Sequence, residues 1–591
     1  MRWQKKRKRL LGFFAVLALA VTGSTAAEAA VGPMLRTVGM QAELHNGTLD
    51  AKFLENGTIA SFKKDGVELT RDRQADRFTF YLDFYAGKRA WPFEPGQLKV
   101  IENTEDMAHI AYIDTKSQLA LEYHFVMKKG DSGFYSYVIA KNNTGKTLKV
   151  SEMRTVYRMD RSLFDVAYNG IRSEAIPRQA EMRKGRKLQD ETYDMGEAGR
   201  RYTNSSIYAK YDYAAYLQDT PFWGAYGHGY GFWVMPLSNE YHSGGPLKQD
   251  LTLHYDTIIC NYLTSAHFGT GDFYAPADWQ KLYGPWYVYV NTGDGRHVIR
   301  DAEKKAVRLE KEWPCAWMKE SLYPVKRGAV SGRLCLTNGR SAAGAQVILS
   351  RPGADIVHEK EGYIFSAVAD KDGRFSVPAV RPGTYTLTAY MQGGSITDTL
   401  VTKRFVVGEN GAKLGTIDWK AEDNPVIFQL GQADHRAAEF VYGGEKRNYI
   451  WQTKVPENLT LTVGRDSAEK DWYYAQTKSG DWNIDFPLMQ IKQPQEYVLK
   501  LALAGYSTGM GAKYKNVGAE LLLNGKKLRD ISFKNDQTVY RSGTTSGTYH
   551  LITVPLAADQ LHEGMNRITI RNHGASLMYD TVILEQTRRG E

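Results

Sequence analysis

Only three cysteines, Cys260, Cys315 and Cys335, occur in 591 residues. Three cannot build a disulfide framework, and an odd count leaves at least one thiol unpaired. A Cys315–Cys335 bridge is one reading; three buried small apolar side chains is the simpler one. Beyond the first thirty residues no stretch approaches the roughly 18 uncharged apolar residues of a membrane span, so a helical membrane protein is excluded. Metal-ligand spacing is missing as well. His228, His242 and His254 define no site, and no catalytic metal is expected. Asp212, Glu240 and Asp250 fall in one region, yet nothing in their spacing pairs them as a glycoside hydrolase requires.

What is present begins with a leader. MRWQKKRKR is strongly cationic, LLGFFAVLALAV is apolar, and small residues lead to Ala27-Glu28-Ala29, the pattern of a secretory signal over 1–29. Its removal takes six basic residues and Glu28, which lowers the net charge from +10 to about +5. That mild excess suits a polyanionic substrate and lacks the clustered Lys and Arg of a nucleic-acid surface. A secreted protein, expected to be monomeric and free of the membrane after processing, is the implied product.

Alternation of period two dominates the remainder: FTFYLDFYAG, LALEYHFVMKK, FYSYVIAKNN, YVLKLALAGYS and NRITIRNHG, each bounded by turn residues, read as strands. Helical spacing is confined to RHVIRDAEKKAVRLEKEW, where Val298, Ala302, Ala306 and Leu309 recur on one face. The chain is therefore mostly β. A large β-sandwich over 30–325, closed by that helix, is expected to precede a small immunoglobulin-like sandwich over 326–418. Turns at Asn338-Gly339, Asp372-Gly373 and Pro382-Gly383 mark the latter. A jelly-roll sandwich over 419–591 completes the chain.

Chemistry concentrates between Tyr208 and Asn291, where YAKYDYAAY carries Lys210 and TSAHFGTGD carries His267. A lysine and a histidine without paired carboxylates, metal ligands or a nucleophile motif suit removal and return of a proton. A lyase is the function this favours. A non-catalytic glycan-binding or cell-surface protein, and a hydrolase on the same sandwich, are the alternatives.

The segments LHNGTLDAKFLENGTIASFKKDGVEL, MRTVYRMD, YAKYDY, SGGPLKQDLT, LYGPWYVYVN, IFQLGQADHRAAEF, KDWYYAQ and LMYDTVILE, in this order, resemble the rhamnogalacturonan lyases of polysaccharide lyase family 4. The resemblance implies a galactose-mutarotase-like β-sandwich, a fibronectin type III-like domain and a carbohydrate-binding-like jelly roll. It also implies β-elimination at galacturonate linked through oxygen 4 to rhamnose, in the rhamnogalacturonan I backbone of pectin. Such a reaction needs a cation at the uronate carboxylate, a base for the hydrogen on carbon 5 and an acid for the leaving oxygen.

Arg154 and Arg158 in RTVYR share one face if the segment is a strand, about 13 Å apart, and match a carboxylate's geometry. Against this stands a role as surface ion-pair partners of Asp160 or Asp165. Lys210 is the candidate base if neighbouring guanidiniums and burial depress its pKa. His267 is the candidate acid, and these two roles can be exchanged. The resemblance places the family's catalytic lysine and histidine at these two positions and an active-site tyrosine at Tyr262, with Cys260 where fungal members carry a second tyrosine. The Ser243–Pro246 turn reads as a tight connection. In the last domain Trp472, Tyr473 and Tyr474 could stack on sugar, although half of such a run faces the core. For Asp580 a structural calcium is weighed against a surface turn. No cofactor is required.

Overall fold

The computed structural model describes residues 33–587 apart from 71–78, 338, 422–423, 492–495 and 509–516. The leader at 1–29, Asn338 of one expected turn and Glu422-Asp423 at the second expected boundary lie outside the described residues.

Among the described residues, an antiparallel nine-stranded sheet faces a six-stranded one. Phe80–Ala86 shows how sequence produces this: its alternate side chains Phe80, Leu82, Phe84 and Ala86 are buried because strand side chains point to opposite faces. They meet Phe125, Phe134, Phe232 and Trp286 from the larger sheet. Each such aromatic contributes about 1.5–3 kcal/mol by leaving water. Trp286, fully buried, donates its indole N–H to the Tyr157 hydroxyl at 2.8 Å, so its polar end is satisfied inside the core.

The expected helix is Gly295–Glu312, and Val298, Ala302, Ala306 and Leu309 are its buried residues. Asp294 caps it by accepting from the His297 backbone N–H at 2.9 Å, a contact worth about 1 kcal/mol. The buried face packs on Trp233, Met235 and Tyr287, which covers the outer side of the nine-stranded sheet.

A second core, built around Val330, Val347, Leu387 and Trp419, lies between a three-stranded and a five-stranded sheet. A third, around Trp472, Trp482, Leu501 and Tyr579, lies between two five-stranded sheets. Both are sandwiches, as the strand pattern implied. Trp472 and Tyr474 are buried in the third core and only Tyr473 is partly exposed, so two of the three candidate stacking aromatics face inward. None of the cysteines is bridged; Cys260 and Cys315 are buried, whereas Cys335 is half-buried, contrary to the expectation for that residue.

Glu240 of the first sandwich receives Arg327 and Arg381 at 2.6 Å each, all three side chains within 4 % of full burial. The third sandwich is fastened directly to the first. Asn448 Nδ2 donates to the Thr203 carbonyl at 2.9 Å, Tyr449 N–H to Asp212 at 3.1 Å, and Gln249 Nε2 to the Ser546 carbonyl at 2.7 Å.

Candidate active site

The strand Leu148–Arg158 runs through the middle of the six-stranded sheet, hydrogen-bonded to Phe80–Ala86 on one side and Ile258–Ser265 on the other. In that register Arg154 lies opposite Asp83 on one neighbour and Tyr262 on the other. Cross-strand neighbours are within side-chain reach. The guanidinium accordingly makes a two-pronged contact with Asp83, Nε–Oδ1 2.8 Å and Nη2–Oδ2 3.0 Å, and Nη1 donates to the Tyr262 hydroxyl at 2.9 Å. Nη1 also lies 3.0 Å from Glu152 Oε1.

Arg154 is thus an ion-pair partner, but of Asp83 and Glu152. Asp160 instead accepts from Ser162, and Asp165 lies near His228. Arg158 follows on the same face, its carbon ζ 5.6 Å from the Tyr81 ring.

Lys210 is not a strand residue. It opens the 3-10 turn Lys210–Tyr213 directly after the strand Ile207–Ala209. Its ammonium lies 2.8 Å from Glu191 and 3.2 Å from Asp190, acids held in turn by the Tyr255 and Tyr211 hydroxyls at 2.6 and 2.8 Å. Burial pushes the lysine pKa down as expected, but Tyr211, Glu191 and Asp190 outweigh it and raise the amine above its ordinary value. A depressed lysine pKa is therefore corrected to an elevated one: Lys210 carries its proton at neutral pH.

His267 follows the strand Ile258–Ser265 in a turn where Phe268 takes a left-handed φ of 50°, a conformation costing a bulky residue about 1–2 kcal/mol. Its Nδ1 lies 3.0 Å from Asp250 Oδ1. Asp250 is fixed by Lys248 at 2.7 Å and by the Ser265 hydroxyl at 2.6 Å. Burial would raise the Asp250 carboxyl, yet Lys248 and His267 hold it well below the usual carboxylate range. An ionised Asp250 accepts a hydrogen bond from Nδ1–H, which leaves Nε2 as the lone-pair nitrogen. Burial, against the pull of Asp250, brings the imidazole down to about 4, so His267 is neutral near pH 7.

Lys210 and His267 belong to one cluster. Tyr211 neighbours both, its ring 5.1 Å from the lysine Nζ and 6.0 Å from the imidazole; Tyr262 meets the imidazole edge-on at 5.1 Å. Burial drives the Tyr262 phenol well above 10, which keeps it a donor.

Five members of this cluster, Glu152, Asp190, Glu191, His254 and Arg541, were given no site role from sequence. Glu152 sits 3.9 Å from His267 Nε2, and its position two residues before Arg154 is the period-two signal that could have found it. The adjacent acids Asp190-Glu191 gave no signal separable from a solvated turn. His254, buried with Nε2 unpartnered among the described residues, is kept neutral by burial and by Lys210 and Arg154. Arg541 comes from the third sandwich. Its carbon ζ stands 5.2 Å from the Tyr211 ring, and Nε and Nη1 are buried with no hydrogen-bond partner among the described residues. The neighbouring Tyr540 carbonyl accepts from Gln189 Nε2 at 2.8 Å, which fixes that segment beside Asp190. Arg447, from the same sandwich, covers the Phe268 ring at 4.5 Å.

Gly244 and Gly245 take φ of 81° and 55°, so the Ser243–Pro246 segment is a tight connection leading into Lys248. Among the described residues no group of three or more His, Cys, Asp or Glu side chains is arranged to hold a metal. Asp580 is not at a surface turn but fully buried. Its Oδ1 accepts from the backbone N–H of Asp434 and of Arg436, and burial with Asp434 nearby pushes its carboxyl well above the ordinary range.

Comparison with known proteins agrees with this architecture. Residues 326–407 match the family model described as polysaccharide lyase family 4, domain II, and residues 426–584 match that for domain III. A rhamnogalacturonate lyase of Dickeya dadantii is 39% identical over 99% of this chain and 98% of its own. A probable rhamnogalacturonate lyase B of Aspergillus flavus is 24% identical over 92% and 93%. A solved galactose mutarotase-like protein from Lactobacillus casei, 9% identical, covers 43% of this chain and all of its own with a TM-score of 0.27. With its length matched almost end to end by a relative of that identity, the chain belongs to polysaccharide lyase family 4.

Proposed function

We propose that the protein is exported and cleaves the rhamnose-(1→4)-galacturonate bond of the rhamnogalacturonan I backbone by β-elimination, leaving an unsaturated galacturonate. The division at 326 and 419 would then separate the catalytic sandwich from two accessory ones. The observation that carries this reading is the juxtaposition, beside Tyr211, of a protonated lysine and a neutral histidine.

On galacturonate the carbon-5 hydrogen and oxygen 4 project from opposite faces of the ring, so base and acid must stand on either side of it. The resting protonation states support one division of roles. His267, with Nδ1–H committed to Asp250, offers Nε2 to carbon 5. Lys210, held as ammonium by Asp190 and Glu191, gives its proton to the departing oxygen. The C5–H pair becomes the C4–C5 double bond as the C4–O4 bond breaks. Arg154, Arg158 and Tyr262 hold the substrate, and Arg541 adds a cation whose buried nitrogens have donors to spare. Carboxylate recognition by such guanidiniums stabilises the charge that builds as carbon 5 loses its hydrogen.

Incubation with deacetylated rhamnogalacturonan tests this. Product with the ultraviolet absorbance of a conjugated double bond is expected. Reducing ends without that absorbance would establish a hydrolase, and binding without cleavage the glycan-binding alternative.

A further inference from the structure

Glu152 brings a further carboxylate to the place where an acidic substrate must bind. Asp83 already neutralises Arg154 through two contacts. Asp190 and Glu191 are matched against Lys210, and Asp250 against Lys248. Glu152 is the second acid on Arg154. Its Oε1 sits 3.0 Å from Arg154 Nη1, and Oε2 lies 3.9 Å from His267 Nε2.

Of the five N–H donors of a guanidinium, the ones at Nη1 serve Tyr262 and Glu152. A uronate carboxylate reaching Arg154 next to His267 must compete for the place of Oε1. The groups facing Glu152 are Arg154 on its own strand, Asp83 and Tyr85 on one neighbouring strand, Tyr262 and Cys260 on the other with His267 and Asp250 beyond it, and Lys210 from the turn.

Resting on the elimination reading above, we propose that Glu152 is a specificity-determining placeholder: it lends its carboxylate to Arg154 until the substrate's carboxylate takes over that contact, and takes up one proton from solvent as this happens. Burial, with Asp83 and Asp250 close by, displaces its carboxyl equilibrium toward the neutral form, so the exchange follows the direction the surroundings already favour. The protonated carboxyl then donates a hydrogen bond, and the site gains the substrate's negative charge without a net change. Asp83 and Asp250 cannot serve in this way. The first is tied to Arg154 through both oxygens and the second is held ionised.

The test is KM against pH for wild type and Glu152→Gln, followed by the absorbance of unsaturated product. Wild-type KM is expected to rise about tenfold per pH unit above the Glu152 transition, as one linked proton requires, with kcat little changed. The KM of E152Q, a neutral isostere, should stay flat and low across the same range. A variant keeping the wild-type slope would overturn the proposal, as would a flat wild-type profile. If E152Q fails to fold, calorimetric titration of wild type with galacturonate, in two buffers of different ionisation enthalpy, decides instead. Uptake of about one proton per site supports exchange, and none refutes it. This titration also stands if wild type releases no unsaturated product, an outcome that would remove the elimination reading alone.

Discussion

His267 Nδ1 and Asp250 Oδ1 are 3.0 Å apart in a buried setting, with Lys248 holding the aspartate from the other side. That pairing selects the imidazole tautomer, and with it the nitrogen available to substrate. Asp250→Asn keeps the side chain's shape but loses the ionised acceptor and leaves the buried Lys248 ammonium without its counter-ion, so a lowered melting temperature is expected beside the loss of activity. Turnover is expected to drop by roughly 10²-fold or more, within the 10²–10⁴ range of general acid–base catalysis. An unchanged kcat would show that the tautomer is set elsewhere.

Lys210→Ala and His267→Ala should each lower kcat by roughly 10²–10⁴-fold while polysaccharide binding persists. Lys210→Arg separates charge from proton donation: the guanidinium retains the positive charge beside Asp190 and Glu191 but yields no proton. Wild-type rates in that variant would reduce Lys210 to an electrostatic role.

The pH profile has a definite sign. His267 titrates at about 4, so kcat/KM falls as pH drops below about 4 and the imidazole becomes charged. Arg541 contributes to that depression, so Arg541→Ala should move the acid limb to higher pH. It should also raise KM by about 10-fold or more, as expected for losing a charged hydrogen-bonding group worth ~1.5–3 kcal/mol. A limb that stays in place would mean that the guanidinium does not face the site.

Glu240→Ala would strand Arg327 and Arg381 in a buried junction. Removing one partner of such a group costs about 3–5 kcal/mol. A lowered melting temperature, with the first and second sandwiches melting in separate transitions, is the expected calorimetric result.

In the third sandwich burial raises the Glu439 carboxyl to about 8 from an ordinary 4.5, with Asp434 adding to the shift. The folded state therefore holds a proton that the unfolded chain releases, and stability falls as pH rises from about 4.5 to about 8. Glu439→Gln should melt higher than wild type at pH 8 and at nearly the same temperature at pH 4.

How far sequence reaches depends on the distance over which a signal acts. Val298, Ala302, Ala306 and Leu309 define their helix because a helix's periodicity lies within one segment, and all four are buried as expected. The shared face of Arg154 and Arg158 follows in the same way from strand alternation. What Arg154 touches does not, because Asp83 and Tyr262 reach it by register across strands from remote parts of the chain. The lysine pKa escapes sequence for the same reason: a depressed value presumes that guanidiniums are its nearest neighbours, whereas the turn apposes Nζ to Asp190 and Glu191. Arg541 lies beyond any local signal, because only the docking of the third sandwich brings it to Tyr211.

That docking changes what the C-terminal module is. With Asn448 and Tyr449 bonded to the first sandwich and Arg447 roofing Phe268, it is one wall of the candidate site. A chain truncated before it would expose the turn that carries His267 and leave Phe268's left-handed backbone unsupported. Swapping in an unrelated sugar-binding module, however tightly it gripped pectin, would not restore turnover.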